Sequence, residues 1–345
     1  MTMMGFNYYT MRYLLLMIII FMVGCKNNDP SLLSTCSTEE LLARFITTNG
    51  EEAFIYKDGK LYSSTNGTCN FELQYFDSNF MVSNYLTNSD GTFLLMGDDL
   101  FPTKNNYTED FEDSSSFKDL FISNPSDTSL YWTNFTLQSP GAPEVSDYVA
   151  LSQCILGGTC SFIDNKIELT TDPEDALNTV LKFTSVPPTA DMVTSKSSIS
   201  STINFYTKNS EVWFEADYLI ESGMPFSIVD FENSYFFGHP GPRVVIRNNK
   251  LEFENKFGNK LNLNNNSGIS ITKNQWFTLK VHLKYSNSKE GIIELWQDGK
   301  PIISTAGINL PTSNSIQNIL EVGATASPEG CVLLFDNMRI SQTEF

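Results

Sequence analysis

Positive charge is scarce in this chain. Its 345 residues carry 22 Lys and Arg against 40 Asp and Glu, a formal net charge of -18. A surface of that sign does not neutralise a phosphate backbone, so nucleic acid is not an expected partner. Histidine is scarcer still, at 2 residues, and no Cys/His spacing matches a zinc site. Charged residues of all kinds reach only 18%. The N-terminal apolar run, residues 13–23, is too short to span a bilayer comfortably as a helix. Stretches of helical period are few, and none of useful length follows residue 106. What is present is 41% apolar residues, 13% aromatics and many Gly, Asn, Ser and Thr. That balance supports a core and favours an all-β protein. The acidic excess reads as a solubilising surface, or in part as carboxylates for a hard cation such as calcium.

Arg12 precedes the run YLLLMIIIFMV, which fits the apolar region of a secretory signal. The run ends in Met22-Val23-Gly24-Cys25, which resembles a bacterial lipobox. The resemblance implies a signal peptide over residues 1–25, a lipidated Cys25, and anchoring to a membrane of the bacterial cell envelope, facing the periplasm or the cell surface. An ordinary cleaved signal with an incidental cysteine is the alternative. Five cysteines remain, so at least one is unpaired or pairs externally. The expected pairs are Cys36–Cys69 and Cys154–Cys160, the second a local clip around Gly157-Gly158, with Cys331 buried and free.

Residues 26–105 read as a small α+β module. Ser37 with Glu40 forms a capping box for a helix holding Leu41, Leu42, Phe45 and Ile46. AFIYKDGKLYS reads as a hairpin turning at Asp58-Gly59. The composition shift over residues 101–116 marks a boundary, and residues 106–345 read as one domain of short strands: a two-sheet antiparallel β-sandwich, a jelly roll. Alternation assigns the strand faces. Phe277, Leu279, Val281 and Leu283 oppose Thr278, Lys280, His282 and Lys284. Ile293 and Leu295 oppose Ile292, Glu294 and Trp296. Val212, Phe214, Ala216 and Tyr218 oppose Trp213, Glu215 and Asp217. Val244 and Ile246 oppose Arg243, Val245 and Arg247.

From EDFED at Glu109 to LLFDNMRIS ending at Ser341, the chain resembles the concanavalin A-like lectin/glucanase superfamily. Within it, the chain is nearest to the heparin lyase I-like polysaccharide lyases. The stretches that carry the resemblance are FSIVDFENSYFFGHPGPRVVIRNNKLEFENKF, QWFTLKVHLKYS, GIIELWQDGKPI and LLFDNMRI. It implies a concanavalin A-like jelly roll whose concave face grips a glycan chain. The family lyases carry a Tyr-x-Lys-x-Gly-x-Tyr-like strand where this chain reads LEVGATASPEGCVLLF. The family glucanases carry Glu-x-Asp-x-(x)-Glu where it reads IVDFE, with Ile228 at the leading glutamate.

Elimination on a uronic-acid polymer needs a base beside the substrate carboxylate and a cation to neutralise it. His239, Tyr235, Arg243 and Arg247 lie close in sequence and are candidates for base, acid and neutraliser. Alternatively, the arginines pair with Glu252 and Glu254. Hydrolysis needs two carboxyls. Asp230 and Glu232 share a strand face roughly 6–7 Å apart, with Glu215 or Glu294 as possible completions. Trp213 and Trp296 are candidate stacking platforms for sugar rings, and Glu232, Arg247 and His282 are candidate glycan contacts. Glu112 and Asp336, on strands expected to be neighbours, are candidates to share a structural calcium. The reading is an anchored lipoprotein that binds polysaccharide on the concave face. The alternative is a polysaccharide lyase, followed by a glycoside hydrolase or a structural surface protein.

Overall fold

The computed structural model of the chain describes residues 103–122, 129–234, 241–257, 261–312 and 315–345, together with the backbone of seven strands between Phe45 and Pro102. These fall into two units, one up to Pro102 and one from Thr103. In the first, β1 (Phe45–Thr48), β2 (Glu52–Lys57), β3 (Lys60–Thr65), β4 (Glu72–Gln74), β5 (Tyr85–Asn88), β6 (Gly91–Met96) and β7 (Asp99–Pro102) form an antiparallel sheet. Its order is β4-β3-β2-β1-β5-β6-β7. Lys57 pairs with Lys60, so a two-residue link joins β2 and β3. Phe45 and Ile46, which the sequence assigns to a helix, pair instead with Tyr56 and Ile55 as a strand. The run FITT is aromatic and β-branched, and such side chains favour the pleated conformation. Cys25, Cys36, Ser37, Glu40, Leu41, Leu42 and Cys69 lie outside the described residues.

The second unit is built from β8 (Tyr107–Glu109), β9 (Asn134–Thr136), α1 (Val145–Leu156), β10 (Lys166–Thr171), β11 (Thr179–Ser185), β12 (Ser195–Ser201), β13 (Glu211–Ser222) and β14 (Ser227–Ser234). It continues with β15 (Pro242–Arg247), β16 (Lys250–Asn255), β17 (Asn262–Leu263), β18 (Phe277–Lys284), β19 (Ile292–Gln297), β20 (Lys300–Ala306), β21 (Ile316–Ser327) and β22 (Cys331–Ser341). One sheet runs β10-β11-β22-β13-β18-β19-β20, with β8 beside β22. The other runs β17-β16-β15-β14-β21-β12-β9. The strand pairs of both sheets are antiparallel. The two sheets form a β-sandwich.

The core lies between the sheets, on the faces that alternation assigns. Phe214, Tyr218, Leu279, Val281, Leu283, Ile293 and Leu295 of the first sheet are fully buried, as are Val244, Phe253, Phe231, Leu320 and Val322 of the second. Phe214 meets Phe231 edge-on across the interface, with centroids 5.8 Å apart. Each such side chain contributes about 1.5–3 kcal/mol by leaving water. At Gly323 in β21 the sheets approach closely. Its φ is +116°, and a Cβ there would stand 2.7 Å from the Phe183 ring.

The helix α1 departs from the sequence expectation of a helix-free domain. It buries only Leu151, Ser152 and Ile155, so its apolar stripe is one turn long and its period is faint. The Asp147 carboxylate accepts the Glu144 amide at 3.2 Å and starts it. Gly157 and Gly158 end it, and a Cys154–Cys160 disulfide clips the end. Cys331 is a buried free thiol, which burial pushes up to about 11.

Candidate functional site

The outer face of the second sheet carries the chemistry. Phe231 points inward, so its neighbours Asp230 and Glu232 point out. Asp230 is opposite Glu321 of β21 on one side and Arg243 of β15 on the other. Just past the end of β16, the Lys256 ammonium donates to Asp230 Oδ1 at 2.8 Å and to Glu232 Oε1. Asp230 also accepts from Ser227 Oγ at 2.9 Å and from Thr325 Oγ1.

These surroundings drive the two carboxyls apart. Burial raises the Asp230 carboxyl, but Lys256, then Arg243 and Lys196, outweigh it and bring it to about 2. Burial raises Glu232 to about 7; Lys256 opposes the rise, and the charges of Asp230 and Glu321 add to it. Burial works to lower the Lys256 ammonium, and the two carboxylates overcome it and hold it above its usual value. Separated carboxyls of this kind mark acid and base roles where a substrate has access.

The rest of the face extends this cluster. Glu321 accepts from Ser198 Oγ at 2.5 Å. The charge of Glu321 also raises Lys196 of β12. Tyr148, carried by α1, senses both: burial raises its phenol, Lys196 lowers it, and Glu321 raises it further. On the other flank, β15 and β16 are joined by Asn248 (φ 52°) and Asn249 (φ 59°). This is the two-residue link with both φ positive that matches strand twist. It sets Arg243 opposite Glu254 and Val245 opposite Glu252. Arg243 Nε and Nη2 donate to Glu254 Oε1 at 3.2 and 2.6 Å. Arg247 donates to Glu252 Oε2 at 3.2 Å and to Glu254 Oε2. Of the two outcomes open for the arginines from the sequence, the structure shows this pairing with Glu252 and Glu254.

The sequence candidates do not converge. Arg243, Arg247 and Glu232 lie on this face, whereas Trp213, His282 and Trp296 lie on the outer face of the other sheet. The thickness of the sandwich separates the two groups. Tyr235 and His239 fall in the segment between β14 and β15, outside the described residues. Glu215 and Glu294 are also on the first sheet. There Glu215 pairs with Arg339 at 2.5 Å and Glu294 with His282 Nδ1 at 2.8 Å, so neither completes a pair with Asp230 or Glu232. Lys256, Glu321, Lys196 and Tyr148 were not singled out in the sequence. Of these, only Lys256 lies within a stretch that carries the family resemblance, four residues beyond Glu252.

The first sheet's outer face is turned on itself. The rings of Trp213 and His282 stack at 3.7 Å and 6°. Trp296 stands 6.1 Å from Trp213, and the Lys280 ammonium covers both indoles at 4.8 and 5.4 Å. Glu344 holds Lys280 at 2.8 Å, and Phe345 lies 4.0 Å from the Arg339 guanidinium. Trp213 is only 8% exposed and His282 only 5%. His282 thus covers one face of Trp213, while Trp296 is half-buried. At the other end of this face, Val180, Leu219 and Leu334 are buried, with Trp276 packed against them.

The expected calcium pair is also rearranged. Glu112 is exposed, and its Oε1 accepts the Thr179 amide at 2.6 Å. Asp336 is 1% exposed and lines a pocket of about 130 Å³ with Asp172, Asn178, Asp217, Trp276 and Asn337. Asn178 donates to its Oδ2 at 2.9 Å, while Oδ1 has no partner. Burial raises this carboxyl to about 6, and the charges of Asp217 and Asp110 add to the effect. An orphaned buried oxygen suits a hard cation. However, among the described residues no three His, Cys, Asp or Glu are gathered into one metal-binding group.

The profile of a family described as polysaccharide lyase matches residues 128–339, more than half of the chain. No curated protein matches it. Similar solved structures include an endo-β-1,4-glucuronan lyase from the fungus Trichoderma reesei (13% identity, 52% of this chain and 88% of that one, TM-score 0.44). They also include a cellulose-induced protein, Cip1 (13% identity, 69% and 98%, TM-score 0.45), and an alginate lyase from Aplysia kurodai (12% identity, 60% and 97%, TM-score 0.39).

Proposed function

This chain belongs to the polysaccharide lyase family, and we propose that it cleaves a uronate-bearing polysaccharide by β-elimination on the outer face of its second sheet. The observation that carries this reading is the half-buried Glu232 carboxyl at about 7, with Asp230 held ionised, Lys256 between them and Arg243 alongside. A base is most effective when its pKa is near the working pH. Glu232 takes the proton next to the substrate carboxylate. Lys256 or Arg243 neutralises that carboxylate as negative charge develops. The electron pair forms the new C=C bond and expels the glycosidic oxygen, which takes up a proton. Tyr148 and, from the β14–β15 segment, Tyr235 and His239 are the candidate donors. No water is consumed, and one product carries an unsaturated end.

A second reading, glycan capture without cleavage, is favoured by the pairing of Arg243, Arg247 and Lys256 with carboxylates of the protein itself. A hydrolase is less well supported, because Asp230 and Glu232 share one ammonium rather than flanking a gap. We also propose that Cys25 is lipidated and anchors the protein in the cell envelope, and that the Asp336 corner takes a structural calcium.

Incubation with acidic polysaccharides separates these readings. A lyase produces ends that absorb in the ultraviolet, a hydrolase produces reducing ends without that absorbance, and a capture module produces neither but is retarded in a glycan gel. Glu232→Gln is expected to abolish the absorbance while the fold persists. Wild-type protein that yields no absorbing product from any uronate polymer would refute the lyase reading.

A further inference from the structure

The β15–β16 hairpin contains a carboxylate seat that is already taken, and the geometry points to Glu254 as an internal competitor that sets how tightly an acidic glycan binds. This inference rests on the proposed action on uronate polymers and deepens it. Three N–H groups surround one carboxylate: Arg243 Nε and Nη2 on Oε1, and Arg247 Nη2 on Oε2. Planar guanidinium forks recognise a free carboxylate in the same way.

The seat does not depend on its occupant. Both guanidiniums stack over the half-buried Phe226 ring, with Cζ 5.0 and 5.1 Å from its centroid. Arg247 keeps a second partner in Glu252 at 3.2 Å. Among the described residues, the ion pair of Arg243 is with Glu254. Removing the Glu254 charge therefore leaves two aligned cations, one of them unpaired. The arginine side chains are 19% and 30% exposed, so a polymer lying on the face reaches them.

A tethered carboxylate competes at high effective concentration. A glycan carboxylate must displace it, and the apparent affinity falls by the fraction of time the seat is open. A neutral glycan gains nothing from the seat and is indifferent to Glu254. The residue would thus reserve the seat for polymers that present many carboxylates at once.

The test is a binding titration of full-length Glu254→Gln and wild type with polyglucuronate and alginate, and with the carboxyl-reduced form of each. The variant is expected to bind the polyuronates about fivefold tighter, the size of one partly exposed ion pair. Its binding to the reduced polymers should be unchanged. Adding Arg243→Gln should cancel the gain. Glu254→Asp, which keeps the charge, should stay near wild type and guards against a folding defect in the glutamine variant. If wild type binds polyuronate and Glu254→Gln binds no tighter, the competitor role is wrong while the proposed function survives. If neither protein binds any polyuronate, both fail.

Discussion

Replacing Glu232 by glutamine keeps the size and hydrogen-bonding shape of the side chain and removes one titrating group from the second sheet. The unfolded chain gives up this proton near 4.5 and the folded chain near 7, because burial outweighs the pull of Lys256. Between those values the folded state holds more protons than the unfolded state, so stability falls as pH rises. That difference corresponds to roughly 3 kcal/mol. Wild type and Glu232→Gln should therefore be about equally stable below pH 4.5, and the variant should be more stable by up to roughly 3 kcal/mol at pH 8. Asp230 has the opposite sign. Its lowered carboxyl stabilises the fold above its unfolded value of 3.8 and loses that contribution as pH falls toward 2. Because the two carboxyls share Lys256, the contrast is read above about pH 5, where Asp230 is ionised in both proteins and the difference reports Glu232 together with its contact to Lys256. All four tryptophans (Trp132, Trp213, Trp276 and Trp296) lie in the second unit, so urea unfolding followed by their fluorescence reports on that unit. Parallel stability curves for the two proteins from pH 5 to 8, or a variant less stable at pH 8, would refute the reasoning. A carboxyl that destabilises its own sheet at working pH is expected of a site kept for reactivity rather than for the fold.

Three further outcomes are expected. Serine at both Cys154 and Cys160 opens a clip spanning a sequence separation of 6; loop entropy puts the loss at about 2 kcal/mol, measurable as a shift in the urea midpoint and matched by adding reductant to wild type. Phe214→Ala empties a fully buried site facing Phe231 and should cost about 3–5 kcal/mol; a loss well under 1 kcal/mol would mean that the sheets do not pack there as described. Calcium should raise Tm in wild type and not in Asp336→Asn. Because burial raises the Asp336 carboxyl to about 6, the calcium effect should be present above that pH and fade below it as protons compete; an equal response in the variant would rule out this corner.

The period of two made the strand faces legible. Every residue assigned inward from Val212 to Tyr218, from Phe277 to Leu283, and at Ile293 and Leu295 is buried. The Asp298-Gly299 turn follows a related rule: both residues have positive φ, and few residue pairs tolerate that. Alternation, however, says only inside or outside, not which sheet a strand joins. Trp213 and Arg243 were both assigned outward, and both are outward, on opposite sides of the sandwich. Strand alternation does not mark Lys256, because it lies past the end of its strand, where the period no longer applies. Glu321, Lys196 and Tyr148 reach the site from β21, β12 and α1, through contacts that no local pattern encodes. The arginines are ambiguous in the sequence because their partners lie on the neighbouring strand of a hairpin, directly across for Arg243 and diagonally for Arg247, whose register an Asn-Asn turn sets.

That hairpin shows why the site keeps its geometry. A slip of one residue between β15 and β16 would exchange the faces of every β16 side chain. Leu251 and Phe253, both fully buried, would turn outward and lose about 1.5–3 kcal/mol each. Glu252 and Glu254 would turn into the core without Arg243 and Arg247, and an unpaired buried charge costs several kcal/mol more. The turn favours the same register independently, since Asn248 and Asn249 both accept positive φ. Core packing, ion pairing and turn chemistry therefore agree on one alignment. The three N–H groups around Glu254 stand where they do because the opposite face of the same strands is buried. A glycan that displaces Glu254 meets cations whose positions were fixed by the folding of the core, so little ordering remains to be done when it binds.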